Sequence, residues 1–162
     1  MGVGPSAKET SLHHFRDPLL DLISADEDID LLGIILFGSS DKYSEKILTS
    51  SRAAIWAQGM RADGAVIFCE GSGNNHVDFA NACEQLGRRG IAVAGLTVIG
   101  KNGQFVVTND YMSDNIVDVC KSKGSVEPCI IGKNNLSNDD CKKALAILKI
   151  KMNKNKEERN LS

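Results

Sequence analysis

Residues 61–100, RADGAVIFCEGSGNNHVDFANACEQLGRRGIAVAGLTVIG, read as strand, glycine-rich loop, helix and strand. Asp63-Gly64 makes a turn, and Ala65–Phe68 is apolar without alternation, the mark of a strand covered on both faces. The polar stretch Glu70–Asn75 follows as a loop, and a helix over about 76–88 turns Val77, Phe79, Ala80, Cys83 and Leu86 inward. Arg88-Arg89-Gly90 stops that helix with cations in its last turn and then glycine, before a strand over Ile91–Ile99. Two apolar strands joined by a helix imply a parallel pair, because a parallel connection must cross over the sheet.

The flanks extend the same alternation. Upstream, Leu31–Phe37 (LLGIILF) predicts another doubly covered strand, ending in Gly38-Ser39-Ser40, and residues 41–60 predict a helix that buries Ile47, Leu48, Ala54, Ile55 and Trp56 and stops near Gly59. A short helix begins at Asp17-Pro18, with Leu19, Leu20, Leu22 and Ile23 on its sticky face. Downstream, Gly100–Gly103 predicts a hairpin turn into a strand over Gln104–Thr108, followed by a helix at about 111–121. Pro128 makes Ser125–Ile131 an edge strand, and Ser137 to Asp140 has capping-box spacing for a last helix to about Met152. The expected architecture is a single three-layer α/β domain over residues 17–152, its mostly parallel sheet carrying helices on both faces in the flavodoxin-like or Rossmann-like manner. Residues 1–16 are an extended arm, and residues 153–162 a frayed polar tail.

Composition narrows the function. With 162 residues, 42% hydrophobic, 25% charged and a net charge of −2, the chain is globular and has no basic surplus for nucleic acid. At 5% aromatic it also lacks base-stacking platforms. No apolar run approaches the roughly 20 residues of a spanning helix, and Met1–Thr10 has no secretory apolar core, so no membrane association and a cytoplasmic location are expected. Five cysteines without a CxxC pair favour reduced thiols over a disulfide framework or a zinc finger.

Ligands of parallel sheets gather at the carboxyl ends of strands, where two loops fall. The first is Gly71-Ser72-Gly73-Asn74-Asn75-His76, just after Cys69. Its glycines permit a sharp turn and close approach of a ligand, and the helix start near Asn74, Asn75 and Asp78 attracts an anion. Neither a P-loop nor a GxGxxG fingerprint is present, so the loop reads either as a structural strand-to-helix turn or as a ligand or partner site. The second loop is Gly38, Ser39 and Ser40. His76 is a candidate acid/base against the plainer reading of a surface or capping histidine, and Cys69 a candidate accessible thiol against that of an inert buried one. Cys83, Cys120 and Cys141 lie in helical patterns and read as packing residues. No metal site is expected: the adjacent His13-His14 diverge, and the carboxylates Asp21, Asp26, Glu27, Asp28 and Asp30 lack calcium-loop spacing and read as a solvated loop.

The 61–100 stretch resembles the α/β module of the glycine, sarcosine and betaine reductase component B and D-proline reductase family. Asp63, Gly64, Gly71, Gly73, Asn74, Asp78, Gly90 and Ile91 match its Asp-Gly strand, Gly-x-Gly-Asn loop, Asp-bearing helix and Gly-Ile strand. LHHFRDPLLD, FVVTNDYM and DDCKKALAILKIKM are similar to the short D-proline reductase-associated proteins that lack the pyruvoyl precursor site, so the resemblance spans most of residues 2–152. It implies membership of a dithiol-dependent complex that reductively cleaves the C–N bond of D-proline to 5-aminovalerate. The electron sink is a pyruvoyl group and the attacking group a selenocysteine, and both are implied on partner subunits. The cysteines here follow Phe68, Ala82, Val119, Pro128 and Asp140, none of them the Thr or Ser-type neighbour of the family's pyruvoyl-forming cysteine. The resemblance therefore implies an accessory subunit without its own cofactor, with a homo-oligomer as a further possibility. A stand-alone small-anion or amino-acid-binding module and a purely structural subunit are the alternatives.

Overall fold

The computed structural model describes residues 18–38, 40–69, 73–97, 105–119 and 136–161. In chain order these form α1 (Pro18–Ser24), α2 (Tyr43–Gly59), β1 (Gly64–Cys69), α3 (Gly73–Gly87), β2 (Ala92–Thr97), a 3₁₀ turn (Asp110–Met112), β3 (Ile116–Asp118) and α4 (Asn138–Asn160). The strands make a parallel sheet in the order β1-β2-β3, with Gly64 opposite Ala92 and Gly95 opposite Ile116. The α/β, three-layer expectation holds. Among the described residues, no helix is long and apolar enough to cross a membrane.

Central β2 is buried at every position, as a strand covered on both faces must be. On one face Ile67 and Val93 meet Phe79, Ala80, Cys83 and Leu86 of α3. On the other, Ala92, Ala94 and Leu96 meet Ala144, Leu145 and Leu148 of α4, with Leu22 and Ile23 of α1 packed beside them. Gly95 lets α3 approach closely, since a Cβ there would stand 2.7 Å from the Phe79 ring. Gly90 ends α3 at φ +72°, a left-handed conformation that glycine adopts without steric cost. Ser137 and Asp140 form the expected capping box, each side chain accepting the other's backbone N–H.

Five expectations are corrected. Leu31–Phe37 forms no strand. It runs as an unpaired strap that turns Ile35 and Phe37 toward the α3-side core and leaves Leu32, Ile34 and Leu36 exposed. Without a ladder, an apolar run can bury only one of its sides. The larger apolar side chains of α2 point outward: Leu48, Ile55 and Trp56 are exposed, while Lys46, Ser50, Ala53, Ala54 and Ala57 are buried. This helix packs principally on α3, whose own polar groups select the small and polar stripe. β1 is an edge strand, half-covered, with Phe68 exposed. Phe105–Thr108 is irregular, and the expected 111–121 helix shortens to the 3₁₀ turn before β3. There Asn109 accepts from the Tyr111 N–H, and Asp114 adopts φ 57°, which ends helical continuation. Finally, α4 continues past Met152 to Asn160, where Asn155 donates to the Gly90 carbonyl and Arg159 reaches Asp63. The expected hairpin turn at 100–103 and the strand at 125–131 lie outside the described residues, as do Cys120 and His13-His14.

Candidate functional site

The carboxyl end of the sheet aligns Cys69, Thr97 and Asp118, which are successive register partners across β1, β2 and β3. Register partners share a face of the sheet, and this row lies on the α3 side. The Cys69 Sγ is 3.7 Å from the Thr97 Oγ1. Thr97 is buried, Cys69 half-buried and Asp118 exposed.

α3 begins at Gly73, shortly past the end of β1 and three residues before the expected start at about 76, so Gly73, Asn74 and Asn75 form its first turn and not part of the expected loop. Its first-turn N–H groups and the positive pole of its dipole therefore sit at this same end of the sheet. Asn74 is exposed, Asn75 half-buried and His76 buried. The His76 Nδ1 accepts from the Val106 N–H at 3.1 Å, which assigns the ring proton to Nε2. The imidazole also lies 4.7 Å from the Phe105 ring, and Phe105 in turn stacks on Phe79 at 5.5 Å. His76 is thus a core-side residue in the first turn of α3 that pins the 105–106 segment over the helix start; of the plainer reading, a surface or capping histidine, the surface position is excluded. Its Nδ1 is committed to a backbone donor.

One turn along, Asp78 meets Lys46 of α2 at 3.0 Å, with both side chains buried. Asn81 continues the polar seam, its Nδ2 donating to the Ser50 Oγ at 2.7 Å and to the Ile47 carbonyl at 3.3 Å. Asp78 therefore ties α2 to the start of α3.

Gly71 and Ser72 lie outside the described residues, as does Ser39. Gly73, Asn74, Asn75, His76 and Asp78 come together in the first turn and a half of α3. Gly38 and Ser40 belong to the entry of α2: the Gly38 carbonyl accepts from Thr49, and the Ser40 hydroxyl donates to Glu45 at 2.6 Å while accepting the Lys42 N–H. The Ser40 bond, with that of Lys42, holds the Glu45 carboxyl below the usual range. Burial, with a smaller contribution from nearby Cys69, pushes the Cys83 thiol up to about 12, so Cys83 is not a thiolate source. Among the described residues no cluster of three His, Cys, Asp or Glu side chains is placed to hold a metal ion.

Sequence reasoning missed Lys46, Asn81 and Thr97. A signal for Lys46 was present: with Ser50, Ala53 and Ala57 it makes one stripe at helical spacing, small and polar enough to face a neighbouring helix. Chemically, the first turn of α3 can receive an anionic group and the row beside it supplies one half-buried thiol.

Comparison with known proteins adds a family to this geometry. The model of the glycine/sarcosine/betaine reductase component B subunits matches residues 2–134. The D-proline reductase proprotein PrdA of Acetoanaerobium sticklandii is 39% identical over an alignment that covers 98% of this chain and 27% of that protein. The chain thus spans about a quarter of the length of this curated relative. No solved structure matches the chain.

Proposed function

The chain belongs to the glycine/sarcosine/betaine reductase component B family, and from that membership we propose that it is an accessory subunit of a D-proline reductase-type complex, which cleaves the ring C–N bond of D-proline reductively to 5-aminovalerate. In this reading the pyruvoyl group and the selenocysteine belong to partner subunits. This chain contributes a docking face and the Gly71–His76 loop.

The observation that carries the reading is the outward face of α2. Leu48, Ile55 and Trp56 fall at i, i+7 and i+8 and are 48%, 50% and 60% exposed. Leu36 of the neighbouring strap is exposed as well. Contiguous large apolar side chains on a helix that already has a buried polar face mark an interaction surface. A chain of PrdA type is the partner favoured, because that relative carries the matching module within a chain nearly four times as long, so its module has further protein to pack against.

Mixing the purified chain with pyruvoyl-carrying and selenoprotein subunits tests this. Co-elution that Trp56→Glu abolishes without lowering the thermal midpoint supports it. Absence of co-elution, with dithiol-dependent D-proline turnover unchanged when the chain is omitted, refutes it.

A further inference from the structure

The strap Leu31–Phe37 has a main chain with nothing to hold. Among the described residues, none of its N–H or C=O groups has a hydrogen-bond partner. From Ile34 to Phe37 exposure alternates: Ile34 and Leu36 stand out at 66% and 90%, while Ile35 and Phe37 turn to the core. A two-residue period is the geometry of a β-strand, and by the same period Leu32, 47% exposed, lies on the outward side. A Cβ added at Gly33 or Gly38 would meet no atom within 4 Å, so the segment is open at both points. Strand edges are ordinarily guarded by lysine, proline or an inward charge, but LLGIILF carries no charge and no proline. An unguarded edge with outward apolar side chains is a template for another strand.

Two features indicate which strand. The outward side chains Leu32, Ile34 and Leu36 read the same in either direction about Ile34. A twofold contact needs a patch complementary to itself. Antiparallel pairing of two straps supplies one, with Ile34 opposite Ile34 and Leu32 opposite Leu36 on a single face. Charge selects the same orientation. The acids Asp26, Glu27, Asp28 and Asp30 all precede the strap. In the antiparallel register each Asp30 falls opposite Gly38 of the other copy, and the two acidic flanks stand at opposite ends. Parallel pairing would set Asp30 against Asp30, a destabilising like-charge pair.

We propose that Leu31–Phe37 is the seam of a dimer with a second copy of this chain, formed by antiparallel pairing of the two straps about Ile34. The proposal uses the strap alone and does not rest on the subunit role given above. One short strand and three side chains per copy make a contact smaller than the roughly 800 Å² per partner of standard interfaces, so the dimer dissociates in the micromolar range.

Sedimentation velocity of the full chain, over a series from low micromolar to millimolar concentration, provides the test. The mass rises from one chain to two and stops there, because a twofold contact is closed. Hydrogen exchange at the two ends of the series shows alternate amides within residues 31–37 slowing in the dimer. Ile34→Lys brings two ammonium groups together on the twofold axis and keeps the chain monomeric at the highest concentration. The proposal is overturned if the wild-type chain stays monomeric throughout, if its mass climbs past two chains, if folded Ile34→Lys dimerises as wild type does, or if the slowed amides fall outside residues 31–37. Should Ile34→Lys fail to fold, the wild-type series and the exchange map decide alone.

Discussion

Lys46 of α2 and Asp78 of α3 pair at 3.0 Å with only 4% and 7% of their side chains exposed, so the seam between these two helices is fastened by charge where apolar packing would ordinarily serve. Removing one partner strands the other in a medium that solvates it poorly. Lys46→Met is expected to lower unfolding stability by about 3–5 kcal/mol in urea titrations, and Lys46→Met combined with Asp78→Leu to restore most of the loss. If the double variant is no better than the single one, the pair is not the source of the effect.

The turn after α2 offers a gain. Arg61 adopts φ 59°, a left-handed conformation that costs a non-glycine residue roughly 1–2 kcal/mol. Its side chain is exposed. Arg61→Gly should therefore raise stability by about 1 kcal/mol after the added freedom of the unfolded chain is subtracted, visible as a higher thermal midpoint.

The acidic stretch after α1 is fastened to α4, with Lys149 at 2.7 Å from Asp26 and 3.1 Å from Asp28. The Lys149 hydrogen bond holds the Asp26 carboxyl below its ordinary 3.8, and the bonds to Asp26 and then Asp28 hold Lys149 above 10.5. A lowered acid stabilises the fold above its unfolded value and loses that contribution as pH falls through the folded value. A raised base keeps its contribution below its unfolded value and loses it as pH rises through the folded value. Denaturation midpoints of wild type and Lys149→Met should differ at neutral pH, converge in acid below about pH 4, and converge also in about 1 M salt, which screens exposed charges.

The thiols should react in a fixed order. Cys69 is half-buried, while Cys83 and Cys141 are 1% and 0% exposed. Iodoacetamide at about pH 8 should label Cys69 in the folded chain and reach Cys83 and Cys141 only with denaturant, as peptide mass mapping would show.

Trp56 reports on the α2 face directly. If that face is covered in a complex, its emission should shift to the blue on mixing with the partner and remain unshifted in Leu48→Glu, while the free variant melts within about 0.5 kcal/mol of wild type, as surface substitutions do. An unshifted spectrum in a co-eluting complex would place the contact elsewhere.

The legible part of the fold was the part where local signals and tertiary demand agree. Between Asp63 and Thr97 the doubly covered β2, the Phe79-Cys83-Leu86 stripe and the Gly90 stop appear as read, while β1 is present but only half-covered. The Ser137–Asp140 cap was legible because it is made within four residues. Leu31–Phe37 and the outer face of α2 were misjudged for a shared reason: apolarity says that a residue seeks cover, and nothing about whether its own chain provides it. Within the candidate site, Gly73 and Asn74 read as loop chemistry and instead open α3, because a glycine-rich run does not by itself say where the following helix starts. The Lys46–Asp78 tie and the burial of His76 were not, since they join residues 32 and 30 positions apart.

The long closing helix has a consequence for how the molecule comes into being. α4 lies against β1, β2 and β3 alike and supplies Ala144, Leu145 and Leu148 to the face opposite α3. Until residues 138–160 are made, Ala92, Ala94 and Leu96 have only the short α1 with its Leu19, Leu22 and Ile23 to cover that face, so the nascent protein passes through an adhesive stage that ends when α4 swings into place.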